Sequence, residues 1–330
     1  MKILVRLPNW LGDVVMSTGF FNALKLQYPD AQIDIIIKKE LEDLAKLIPG
    51  WRKIYPFSKK DHKGLAGAYR FGKLFRVEKY DLYFNLPSSL SSITMAWASK
   101  AKKRIGFGAE GGAMMLTNSL KKSKGGHRVD EYISLLESFT GNKCEQKRVY
   151  LNAGIDGTIS HKKLVLVNFN SEATSRKMPV EKGQKILNSL TNTFSEITFG
   201  LIGSKKETAF VESIIEGADN INRIENYAGK TGLLSLAKLI AESKVLLSTD
   251  SGPAHLANGL NVPVVVLFGA GNEHNTAPYN AENLQIIRGG KLACEPCLKN
   301  ECKLYGIPKC MELIDELTII NAIGIYLKYA

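Results

Sequence analysis

The chain has 330 residues, of which 45% are hydrophobic and 23% charged. That is length enough for two domains with a core each, in a composition that excludes disordered, collagen-like and disulfide-dense secreted chains. The net charge of +12 is one-sided: residues 1–155 carry 26 Lys+Arg against 14 Asp+Glu, residues 156–330 carry 18 against 18. A basic field over one half suits nucleic acid, an anionic lipid surface or a phosphorylated acceptor, with a merely solvated basic face as the plain alternative. No apolar run approaches the ~18 residues of a membrane span. Arg6 interrupts the N-terminal apolar stretch before a signal-peptide core can form, so a cytoplasmic location is expected.

Residues 2–7 read as a buried parallel strand, followed by the turn Pro8-Asn9-Trp10-Leu11-Gly12-Asp13 and a helix over 14–28. Strands at 33–37, 54–57, 81–85 and 103–107 then alternate with helices at 40–48, 65–75, 88–99 and 127–141. After a polar, Gly-containing stretch at 152–163 the alternation restarts. Strands are expected at 164–169, 197–202, 245–248 and 264–268, and helices at 180–193, 206–216, 233–242 and 253–260. Two successive doubly wound α/β halves follow from this pattern, with ligands expected beyond the carboxyl ends of the strands. If the halves face each other, the turns of both line one cleft.

Three turns carry chemistry. In Val245–Leu256 an apolar run leads through Ser248-Thr249-Asp250-Ser251-Gly252 to Pro253, the pattern of strand, tight turn and helix start. The helix's first N–H groups and its dipole make that turn an anion site, or else an ordinary capped helix. Gly252 admits a ligand to the backbone, Ser251 adds a donor, His255 lies one turn in, and Asp250 can accept from a sugar hydroxyl. The turn from Asn170 to Pro179 offers a second anion site through Ser171, Arg176 and Lys177. In the first turn Asp13 is either a helix-start carboxylate or a base aimed out of the sheet, with Trp10 beside it as the best aromatic for an acceptor. Trp51 and Trp97 read as packing residues. The chain contains no Asp-x-Asp, so the usual carboxylate pair for a cation on a nucleotide sugar is missing.

Arg6-Leu7-Pro8-Asn9-Trp10-Leu11-Gly12-Asp13-Val14-Val15-Met16-Ser17, Tyr227-Ala228-Gly229-Lys230-Thr231 and Thr249-Asp250-Ser251-Gly252-Pro253-Ala254-His255-Leu256 closely resemble the ADP-heptose:lipopolysaccharide heptosyltransferases, glycosyltransferase family 9. The likeness is nearer to the second-heptose type and spans nearly the whole chain. It implies a GT-B fold with an acceptor-binding domain at 1–155 and a nucleotide-sugar-binding domain at 156–330. It also allows a terminal helix, here 317–329, to return onto the first domain. Inverting, metal-independent transfer is implied, with Asp13 as general base and Trp10 and Gly12 beside the acceptor. Asp250, Ser251, Gly252 and His255 would hold the sugar and diphosphate. The family's phosphate-binding Lys falls at Arg176 counting back from Pro179, or at Lys177 with one residue gapped; Met178 stands where a Trp is usual. Thr249 and the stretch 269–278 also depart from the family pattern.

Cys294, Cys297, Cys302 and Cys310 cluster near the C-terminus, whereas Cys144 stands alone. A four-thiolate structural zinc, packed free thiols and disulfides all remain open for them. Gly106-Phe107-Gly108-Ala109-Glu110-Gly111 spells a dinucleotide fingerprint but follows Lys102-Lys103-Arg104 instead of the first buried strand, and reads as a Gly-rich loop. The expectation is thus a monomeric, peripheral enzyme at the inner face of the inner membrane that needs no cofactor and binds no nucleic acid. It would move heptose from an ADP-sugar donor to the anionic, lipid-linked inner-core oligosaccharide of lipopolysaccharide. The alternatives are a transferase of the same fold with another nucleotide sugar or acceptor, and a non-catalytic basic protein that binds RNA or another anionic polymer.

Overall fold

Strands covered by helices on both faces must be apolar along their whole length, and Ile3, Leu4 and Val5 or Val245, Leu246 and Leu247 are accordingly fully buried. The computed structural model describes residues 1–108, 111–123, 125–154 and 163–328. Most of the polar stretch 152–163, with the expected boundary at 155/156, lies outside the described residues, as do Ala109, Glu110, Lys124 and Tyr329. The chain divides into two units, Met1–Asn152 and Ala153–Ala330.

In the first unit the strands are β1 (Lys2–Arg6), β2 (Gln32–Lys38), β3 (Lys53–Phe57), β4 (Leu82–Asn85), β5 (Lys103–Phe107) and β6 (Asn118–Leu120). They form one parallel sheet in the order β3-β2-β1-β4-β5-β6. Phe71, Phe75, Tyr80, Tyr83 and Ile93 belong to the core cluster of this unit. Buried Asp34 is satisfied by Arg52, whose Nε and Nη2 donate over 2.9 and 2.6 Å, and by the Tyr80 hydroxyl, which makes it a structural tie between β2 and β3.

The second unit repeats the plan with β7 (Leu164–Asn168), β8 (Thr198–Leu201), β9 (Ile224–Asn226), β10 (Val245–Thr249), β11 (Val264–Phe268) and β12 (Leu284–Arg288). Its parallel order is β12-β11-β10-β7-β8-β9. The last helix, Glu316–Lys328, places Ile319, Ala322 and Ile323 in the core of this unit. In both sheets the strand order reverses beside the first strand, between β1 and β4 and between β7 and β10. Such a reversal splays adjacent βα turns apart at the carboxyl edge and opens a crevice for a ligand.

Two expectations change in detail. The helix over 14–28 is two helices, Leu11–Met16 and Thr18–Gln27, because the hydroxyls of Ser17 and Thr18 donate to the carbonyls of Val14 and Val15 and interrupt the ladder. The edge strands β6, β9 and β12 were not foreseen; they are short or half polar and lack the continuous apolar run of a central strand.

Candidate active site

At the switch point of the first sheet, β1 ends in Arg6, only 2% exposed. Its guanidinium donates to the Leu7 carbonyl and, over 2.6 Å, to Asn9 Oδ1, which pins the turn that follows. Burial pushes this guanidinium's pKa down to about 10. Trp10 caps the helix Leu11–Met16 and is 59% exposed, with Lys38 Nζ 5.9 Å from its ring centre. Gly12 and Asp13 lie half-buried in the first turn of that helix.

Asp13 meets groups from the helix Arg128–Thr140 and the segment before it. The Tyr132 hydroxyl donates to Asp13 Oδ1 over 3.3 Å, and Arg128 Nε stands 3.6 Å from the same oxygen. Arg128 Nη1 donates to both oxygens of Glu131, at 3.0 and 2.9 Å, and Lys122 pairs with Glu131 at 3.0 Å. Burial, the largest influence, raises the Asp13 pKa above the usual aspartate value; Arg128, the Tyr132 hydrogen bond and Lys122 oppose it, and Glu131 reinforces it. A partly desolvated carboxylate of raised basicity suits a general base.

At the switch point of the second sheet, β7 leads through Ser171, half-buried, to the short turn Thr174–Arg176, and Pro179 then caps the helix Val180–Thr193. Arg176 Nη1 lies 3.0 Å from Asp250 Oδ2, an ion pair without the alignment of a hydrogen bond. Lys177 turns elsewhere, its Nζ 3.5 Å from the centre of the Phe210 ring, and burial lowers its pKa. Met178 is buried. Asp250 is 4% exposed, and burial raises its pKa against the pull of Arg176 and Arg288. Ser251 is the N-cap of the helix Gly252–Gly259, with Pro253 in its first turn and His255 buried one turn in. An eight-residue helix starting at a switch point presents its positive end at the carboxyl edge of the sheet.

The side chains that fix this turn come from β7, β12 and the end of β10 itself. Asn168, at the end of β7, donates to Ser251 Oγ over 2.8 Å and to Ser248 Oγ over 3.1 Å, and Thr249 Oγ1 donates to the Asn170 carbonyl over 2.5 Å. Arg288, closing β12, donates to the carbonyls of Gly269 and Gly271 over 2.5 Å each and to Glu273 Oε1 over 3.0 Å. Gly271 packs so closely on Asp250 Oδ2 that a side chain there would collide with it. Replacing Asn168 by Ala should remove the amide donor that the Ser248 and Ser251 hydroxyls share, leaving them only each other and the Thr249 carbonyl, and cost about 1 kcal/mol. The expected result is an earlier urea-unfolding midpoint together with weaker nucleotide binding.

All five cysteines are free thiols. Cys310 is buried in the second core beside Gly269 and Met311, which pushes its pKa up to about 11, whereas Cys294, Cys297 and Cys302 line a cavity of about 450 Å³. Among the described residues no group of three or more His, Cys, Asp or Glu is placed to hold a metal ion. The zinc considered for these four thiols therefore finds no support among the described residues. The segment has another use: the Asn300 carbonyl accepts from Ser175 N and Thr174 Oγ1, over 3.0 and 3.1 Å, and the Lys299 carbonyl accepts from Ser175 Oγ over 2.5 Å. It thereby braces the turn that carries Arg176.

Residues 68–307 match the family described as glycosyltransferase family 9 (heptosyltransferase), a span that includes both anion turns of the second unit and the cysteines Cys294, Cys297 and Cys302. The chain belongs to glycosyltransferase family 9. Its relatives include the lipooligosaccharide heptosyltransferase 2 of Haemophilus ducreyi, 29% identical, the match covering 88% of this chain and 90% of that one. The fold matches that of the E. coli ADP-heptose lps heptosyltransferase II with a TM-score of 0.84 at 21% identity, over 100% of this chain and 99% of that one. It also matches the E. coli heptosyltransferase WaaC with ADP-2-deoxy-2-fluoro heptose, with a TM-score of 0.72 at 16% identity, over 87% and 93%. Two Rossmann-like doubly wound units make this family 9 glycosyltransferase a GT-B protein.

In this family 9 enzyme the structure brings Arg176 to Asp250 and Asn168 to Ser251, but turns Lys177 away from Asp250. The sequence alone does not single out Arg128, Glu131, Tyr132, Asn168 or Arg288. The signals available were slight: Arg128, Glu131 and Tyr132 have the i, i+3, i+4 spacing of one helix face, and Asn168 is an amide ending an apolar strand.

Proposed function

We propose that this glycosyltransferase moves heptose from ADP-heptose to a lipid-linked inner-core lipopolysaccharide acceptor, with inversion at the anomeric carbon. The observation that carries the reading is the second unit's switch point, where Arg176, Asp250 and the start of the Ser251 helix combine a cation, a sugar-hydroxyl acceptor and a helix dipole. That set suits a sugar diphosphate. The ADP-2-deoxy-2-fluoro heptose bound by the E. coli relative supports ADP-heptose as the donor.

Asp13 takes the proton of the acceptor hydroxyl while the hydroxyl oxygen bonds to the anomeric carbon. The bond from that carbon to the diphosphate breaks, and ADP leaves with the electron pair. A single displacement of this kind inverts the configuration. Arg176 and the N–H groups at the start of the Ser251 helix meet the charge that builds on the leaving diphosphate. Of the two candidate phosphate cations, Arg176 takes this role because Lys177 is engaged with Phe210. Trp10 and Gly12 flank Asp13 on the acceptor side, Ser171 belongs to the donor turn, and His255 supports the helix behind Ser251.

The basic first half meets the anionic acceptor and the inner membrane face, where the monomer docks reversibly from the cytoplasm. Among the described residues no helix is long and apolar enough to cross a membrane. The donor assignment is tested by competition binding with a fluorescent ADP analogue. ADP should displace the probe at far lower concentration than UDP or GDP; equal displacement by all three would remove the adenine preference from the account.

A further inference from the structure

The charged and titratable groups that act on Asp13 come from one wall: Lys122 ahead of the helix Arg128–Thr140, and Arg128, Glu131 and Tyr132 on its first turns. Arg128 could have gripped Asp13 with its planar fork, which would hold both carboxylate oxygens and favour the ionised form. It does not. Its Nη1 is spent on Glu131, whose side chain is 8% exposed and which also pairs with Lys122. Toward Asp13 it presents Nε, at 3.6 Å and without a hydrogen-bond partner. Tyr132 donates to that same Oδ1, and Oδ2 receives no hydrogen bond from the described residues.

We propose that Tyr132, Arg128 and Glu131 are positioning residues for Asp13: Tyr132 and Arg128 hold Oδ1, Glu131 keeps the Arg128 fork from closing on the carboxylate, and Oδ2 is the oxygen that takes the acceptor's proton. The inference rests on the reading of Asp13 as the general base and adds which of its atoms does the work and what keeps that atom available.

The arrangement fixes the sign of two nearly isosteric changes. Glu131→Gln removes a nearby negative charge and frees the fork, and both effects favour ionised Asp13. Tyr132→Phe removes a donor to the carboxylate and favours the protonated form. A general loosening of the fold would not move the two variants in opposite directions.

The test is a ¹³C NMR titration of the Asp13 carboxyl in the full chain, labelled at aspartate and assigned by difference from Asp13→Asn. The midpoint should fall in Glu131→Gln and rise in Tyr132→Phe, each by roughly half a pH unit or more. Midpoints that stay put, or that move the same way in both variants, would overturn the proposal. The acid limb of kcat/KM, followed in parallel, should track the midpoints. If the midpoints move as stated while the acid limb stays fixed, the network stands and Asp13 is not the base, which separates failure of this inference from failure of the reading beneath it.

Discussion

Arg176→Ala should lower kcat/KM for the donor on the order of 10²- to 10³-fold, the effect of deleting one preorganised donor to a developing negative charge. Arg176 is the cation ion-paired with Asp250, at 3.0 Å, and Asp250 is almost wholly buried. In the proposed role its removal takes a positive charge from the leaving diphosphate; it also leaves a desolvated carboxylate without its partner, which responds by taking up a proton. Weaker ADP binding should therefore accompany the kinetic loss. Arg176→Lys should recover part of it, because an ammonium restores the charge but not the planar fork. Lys177→Ala should be far milder, its ammonium being engaged with the Phe210 ring. Steady-state kinetics with varied donor, alongside ADP titration, check all three; donor kinetics unchanged in Arg176→Ala would move the phosphate site elsewhere.

Asp13→Ala should lower kcat about 10²- to 10⁴-fold, the contribution of a positioned general base, and leave ADP affinity intact. In the proposed function the donor is bound by the second unit, whereas Asp13 lies in the first, in the helix that follows β1. A base of the proposed kind acts in its ionised form, so activity should fall as the pH drops through its pKa. Because burial raises that pKa, the fall should begin at a higher pH than for an ordinary aspartate. Loss of ADP affinity together with activity in Asp13→Ala would instead give the residue a role in binding or folding.

The central strands of both sheets were legible because full burial writes itself as an unbroken apolar run, as in Leu164–Asn168 and Val264–Phe268. The edge strands other than β3 were not: Asn118–Leu120 and Ile224–Asn226 have three residues each and largely polar sequences, and only pairing with a neighbour makes them strands. The turn bearing Ser251 was readable from local chemistry, since cap residues followed by Pro253 need no tertiary information, whereas the helix Leu11–Met16 starts inside the expected first turn and takes in Asp13. The supports of Asp13 and Ser251 were unreadable for the opposite reason. Tyr132 reaches Asp13 across 119 residues and Asn168 reaches Ser251 across 83, contacts that exist only once the sheets are assembled. Arg176 and Lys177 could not be told apart by counting from Pro179, but their packing separates them: one faces Asp250, the other an aromatic ring. The cysteine spacing left zinc, packed thiols and disulfides open; the cysteines are free thiols, with Cys310 in the hydrophobic core, and Asn300, from the same segment, holds the Arg176 turn.

The most direct test of the central claim is a transfer reaction with purified protein, ADP-heptose of known anomeric configuration and a core acceptor lacking that heptose. ADP release and the anomeric configuration of the product would be read by NMR. The account predicts one heptose added per acceptor, one ADP released for each, and the configuration opposite to that of the donor. Retained configuration, or release of ADP no faster than without acceptor, would contradict it.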